Sequence, residues 1–107
     1  MTRAELTDLP GHELVLRGVD DASSGRATAA AALVFVASGR LRELGVPIPT
    51  PSTRAEWELV LYQRLAEDDP RGDTYATYGA WLDDLDAFLE ALDARVGRAR
   101  DGARSRR

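Results

Sequence analysis

The chain contains no cysteine and no lysine, one histidine and one methionine, and its aromatic residues are two Trp, three Tyr and two Phe in 107 positions. Without cysteine there can be no disulfide framework, thiolate metal site or thiol nucleophile. The lone His12 sits beside Glu13, just after a Pro-Gly turn. A general base needs an orienting partner and a substrate pocket, and the sequence identifies neither, so His12 is read as a surface histidine. There is no G-x-S-x-G nucleophile elbow and no Gly-rich phosphate loop. The acidic run Glu67, Asp68, Asp69 and Asp73 lacks the residue order of a calcium loop and reads as solvated charge. No catalytic, metal or cofactor site is therefore assigned, and neither enzymatic activity nor a small-molecule substrate is expected. The longest apolar run, Ala29 to Ala37, is far short of the roughly 18 residues of a membrane span. No secretory signal is apparent at the N-terminus, so a cytoplasmic location is expected.

What is present is charge, and it is segregated. The net charge is −4. Residues 1–52 carry five Arg against six acids, residues 53–94 three Arg against eleven, and residues 95–107 six Arg against one Asp. The middle of the chain is acidic and its end basic. All fourteen basic residues are arginine, which, with abundant alanine and aspartate, is the signature of a GC-rich coding sequence.

One stretch is strongly periodic. Tyr75, Tyr78, Leu82, Leu85, Leu89, Leu92 and Val96 recur at alternating steps of three and four, one face of an α-helix about six turns long. Trp81 and Phe88 widen that face, while Asp83, Asp84, Asp86, Glu90 and Asp93 fall opposite. Three further helices are expected: His12 to Asp21; Arg26 to Leu44, alanine-rich and central in the packing, closed by Gly45; and one following a Thr53–Glu56 capping box up to Asp68. The prolines at 47, 49 and 51 make residues 46–52 a stiff extended connector. Leu61 and Leu65 are expected to meet Leu82 and Leu85 in a C-terminal helical hairpin capped by Asp73 or Thr74. Residues 1–9 are expected to fray. The expected architecture is all-α: three or four helices in one domain over residues 1–96, with a disordered Arg-rich tail over 97–107.

The runs Glu13–Asp21, Gly25–Thr28, Ala32–Val34, Arg40–Pro49 and Leu61–Pro70, with Tyr78 and Ala80, resemble a small family of short proteins from high-GC bacteria: helical antitoxin partners of nucleotidyltransferase-like toxins. The resemblance spans residues 12–94 and excludes the tail. It implies a binding role and transfers no catalytic residue. A toxin-like protein partner would then meet the acidic and aromatic C-terminal helix through Tyr75, Tyr78, Trp81, Asp83, Asp84, Asp86 and Phe88, the carboxylates competing with a polyanionic substrate. Two other readings use the same residues differently. In one, the heptad line pairs with a second copy of the chain. In the other, Arg98, Arg100, Arg104, Arg106 and Arg107 contact nucleic-acid phosphates, without interleaved aromatics for base stacking.

Overall fold

The computed structural model describes residues 3–51 and 54–105, with side chains over 4–51 and 54–99. Five α-helices follow a short 3₁₀ turn at Arg3–Leu6: α1 (His12–Ser23), α2 (Ala29–Val36), α3 (Ser38–Glu43), α4 (Trp57–Asp68) and α5 (Thr74–Ser105). No strand occurs among the described residues, so the chain is all-α.

α2 is the central element. Ala29 to Val34 are all buried, and the helix packs against α1 and α4, with smaller contacts to α3 and α5. Alanine suits this place, because a methyl side chain lets neighbouring backbones approach closely. Gly18 makes the closest approach: a Cβ built there would collide with the Ala30 carbonyl oxygen and with Val34 Cγ1. Thr28 caps α2, its hydroxyl oxygen accepting from the Ala31 N–H at 3.2 Å and donating to Asp21 at 2.7 Å. Arg26 and Ala27 therefore precede the helix. The expected single helix from Arg26 to Leu44 is in fact two, broken at Ala37 (φ −112°, ψ 24°). Ser38 and Gly39, both weak helix formers, follow the break, and the change of direction sends Leu41 and Leu44 into the core.

The proline-rich connector does more than space the helices. Val46 and Ile48 are buried while Pro47 between them is exposed, so alternate residues of an extended strand-like segment face inward. Arg42 fixes it, donating to the carbonyls of Ile48 at 3.1 Å and Pro49 at 3.0 Å. Thr53 of the expected capping box lies outside the described residues; α4 begins at Trp57, with Glu56 at the cap position making no side-chain cap bond. Tertiary packing supplies the anchor instead: the Trp57 ring lies 4.7 Å from that of Phe35, centroid to centroid.

Asp73 caps α5 as the sequence indicates, Oδ1 accepting from the Ala76 N–H at 3.0 Å. Residues 4–9, expected to fray, pack against the helices instead. Leu6 and Leu9 belong to the core, and Arg95 of α5 donates to the Glu5 carbonyl and, at 2.7 Å, to the Asp8 carboxylate. Burial of two leucines outweighs the lack of any periodic signal there. The described backbone also stays helical through Ser105, where a disordered tail was expected. Alanine and arginine are good helix formers, no proline intervenes, and cationic side chains suit a helix C-terminus. At about 1.5 Å per residue this 32-residue helix accounts for most of the 56 Å long axis of the molecule.

Candidate functional site

The wide apolar face of α5 is mostly spent inside the molecule. Leu85, Phe88 and Leu92 are buried, and Tyr78, Trp81, Leu82, Leu89 and Val96 pack against the core while half-exposed. Phe88 has no exposed surface, so it cannot belong to a partner-binding surface. Its ring fills the space among α5's neighbours, the ordinary fate of a large aromatic on the inward side of a helix. Tyr75, by contrast, is 77% exposed, the most open large apolar side chain described.

The carboxylates divide. Taking about 100° per residue around the helix, Asp84 falls on the flank beside Phe88, and the N-terminal segment packs there. Gly11 (φ +73°) lies so close to the Asp84 carbonyl oxygen that any Cβ would clash, and Asp84 shares a shallow concavity with residues of the 8–17 segment. Asp86 falls on the opposite flank, about 20° from Tyr75, and Asp83 and Glu90 point outward. Asp83, Asp84 and Asp86 are all exposed, and none has an ion-pair partner among the described residues. Asp93 does, through Arg40 at 2.9 Å.

The flank bearing Tyr75 and Asp86 is the one that meets α4. Tyr62 of α4 contacts Tyr78 edge-on, with ring centroids 5.5 Å apart. Tyr62 and Leu59, one turn apart on α4, are 37% and 52% exposed. Tyr62, Tyr75 and the open side of Leu82 thus follow the α4–α5 seam, with Asp86 along its edge and Asp83 further out, while Leu59 lies at the other end of α4, beside Phe35, Val36 and Trp57. Tyr62 was not assigned to the binding surface from sequence. The available signal was that it falls beside the Trp57–Leu61–Leu65 row, which the structure places inward.

The remaining expected residues are scattered or undescribed. Among the tail arginines only Arg98 has a described side chain, and it is exposed; Arg100 and Arg104 have described backbone alone, and Arg106 and Arg107 lie outside the described residues. Arg95 is tied to the N-terminal segment and is not part of a free basic tail. His12 is half-buried rather than a surface histidine, its Nδ1 2.8 Å from the Leu9 carbonyl, a bond that requires the proton on that nitrogen. No group of three or more His, Cys, Asp or Glu among the described residues is arranged to hold a metal ion. No described helix is long and apolar enough to cross a membrane.

Two carboxyl groups are held below the usual carboxylate range. The Thr28 hydroxyl, then the Arg26 guanidinium 3.0 Å away, stabilise the ionised form of Asp21. Arg95 does the same for Asp8. Both carboxylates are structural ties between segments, and neither lies on the α4–α5 seam. A separate concavity of about 510 Å³ opens between the α1–α2 turn, the connector and α4, with the Phe35–Trp57 pair in its wall. No family model matches the chain, and neither curated proteins nor solved structures include a significant match to it.

Proposed function

We propose that this protein is a non-catalytic protein-binding module that acts as an antitoxin-like partner, covering a basic surface of its target with the α4–α5 seam. The observation that carries this reading is the pairing of the exposed side chains of Tyr62 and Tyr75 with the carboxylates of Asp83 and Asp86, which no described cation neutralises. Large amphipathic rings beside unpaired charge suit a surface that is apolar at its centre and charged at its edge. The negative edge selects a basic partner and speeds encounter with it. A nucleotidyltransferase-like toxin binds polyanionic substrates, so its site would be basic and open to competition by these carboxylates. Asp84 contributes from the other flank only through the overall field, and Phe88 contributes through stability alone.

The test is capture from the native host with the wild-type chain, the Asp83→Asn/Asp86→Asn double variant and Tyr75→Ala. The reading expects a basic partner that is retained by the wild type, weakened by the double variant with a shallower salt dependence, and weakened by Tyr75→Ala at all salt concentrations. Equal retention by all three would sink it.

A further inference from the structure

The concavity between the α1–α2 turn, the connector and α4 has a chemistry of its own. Its floor is built of small buried residues, Ala31 and Ala32, its mouth includes the exposed Ala27, and its wall carries the half-buried rings of Phe35 and Trp57. The concavity opens to solvent, and its volume of about 510 Å³ between three elements lies within the range of small-molecule pockets. Among the described residues no side chain fills it: alanines face it from one side and a proline-stiffened segment from the other.

Charge gives the pocket a preference. The chain as a whole has more acids than bases, yet the charged residues described around this cavity are Arg26 and Arg64, with no carboxylate in its lining. Arg26 spends its Nε on Asp21 at 3.0 Å. The Asp21 charge offsets that of Arg26, so Arg26 closes the rim more than it attracts. Among the described residues Arg64 pairs only with Glu67, 3.7 Å away and largely exposed, a pairing too long and too solvated to hold the guanidinium strongly. Arg64 is therefore the cation available to a ligand.

We propose that this pocket binds a small amphiphilic anion: a planar aromatic or apolar body lying against Phe35 and Trp57, with a carboxylate, sulfonate or phosphate group reaching Arg64. The sequence carries no motif for it, since the pocket is assembled from the α1–α2 turn, the connector and α4. The site lies apart from the α4–α5 seam and does not depend on the protein-binding reading.

The experiment uses 8-anilinonaphthalene-1-sulfonate and its uncharged counterpart N-phenyl-1-naphthylamine as probes, titrated into the full chain and followed by fluorescence. Saturable binding of the sulfonate at about one per chain is expected. Ala27→Trp places a ring in the mouth from an exposed loop position and should reduce affinity for both probes by about tenfold or more. Arg64→Gln should weaken the sulfonate by about tenfold, the worth of one charge-assisted contact, and leave the neutral probe unchanged. Circular dichroism checks that each variant is folded; should Ala27→Trp not fold, the split between the two probes in Arg64→Gln decides alone. Failure of the sulfonate to saturate, or an equal response of the two probes to Arg64→Gln, overturns the proposal.

Discussion

Gly18 and Gly79 occupy helices of the same protein and should respond in opposite directions to the same substitution. Replacing glycine by alanine in a helix removes backbone freedom from the unfolded chain and is worth up to about 1 kcal/mol of stability. At Gly79, in α5, a Cβ would meet nothing within 4 Å, so Gly79→Ala should realise most of that gain. At Gly18 the new methyl would overlap the Ala30 carbonyl oxygen and approach Val34 Cγ1 to 2.6 Å. A backbone oxygen in the middle of α2 cannot swing aside as a side-chain tip can, so α1 and α2 must separate. Overpacking of this kind costs about 1–3 kcal/mol, and separation also loosens the most extensive helix contact in the molecule. Net destabilisation of about 1–2 kcal/mol is expected for Gly18→Ala after the propensity gain is subtracted. For a domain of this size 1 kcal/mol corresponds to a Tm change of about 4 °C or more. Thermal unfolding followed at 222 nm should place Gly79→Ala above the wild type and Gly18→Ala below it, about 10 °C or more apart. Equal shifts, or a Gly18→Ala variant as stable as the wild type, would refute the close α1–α2 crossing.

Phe88→Ala and Tyr75→Ala separate core from surface on the same helix. Chemical denaturation should show a loss of about 3–5 kcal/mol for Phe88→Ala and a change within about 0.5 kcal/mol for Tyr75→Ala; comparable losses would contradict the burial described. Stability should also depend on Asp21 at acid pH. Its folded pKa lies below the ordinary value near 3.9, so its contribution is present above about pH 4 and is lost as pH falls through the lowered folded value. Asp21→Asn should therefore shrink the drop in Tm between pH 7 and pH 3, and an undiminished drop would count against the Thr28–Asp21–Arg26 tie.

The parts of the fold that were legible in the sequence are those set by local rules. Asp73 caps α5 because a short carboxylate before a helix has an N–H within reach. The three-four spacing places Leu85 and Leu92 inward because the helix period does so. α2 is buried because seven of its eight residues offer only small or aliphatic surface. The illegible parts are decided by contacts between distant segments. Nothing in Arg3–Leu9 signals that Leu6 and Leu9 enter the core, or that Arg95, about ninety residues away, will hold them. The break at Ala37 and the start of α4 at Trp57 are set by where Leu41 and Phe35 must lie. For the candidate surface, the spacing told which side of α5 is apolar but not how many elements share that side. Phe88 and Tyr75 therefore looked alike, although one is sealed and the other open.

That sharing explains why a broad apolar ribbon does not by itself require a partner. Around α5 the inward residues run from Phe88 through Leu92 and Leu85 to Tyr78 and Leu82, an arc of about 120°. A single neighbouring helix would leave part of such an arc wet. Here the N-terminal segment and α1 take the Phe88 edge, α2 reaches the middle, and α4 takes the Tyr78 edge. Coverage thins at the outer edge of α4, where Tyr62 meets Tyr78 and is still 37% exposed. The apolar surface left over therefore lies on the hairpin seam rather than on the centre of α5. A partner that reads this protein through α5 must touch α4 as well, and Tyr62→Ala, on the helix the sequence did not implicate, should weaken partner capture as much as Tyr75→Ala, with circular dichroism checking that the variant is folded. If Tyr62→Ala leaves capture untouched and Tyr75→Ala abolishes it, the surface is confined to α5 and the seam is not its organising feature.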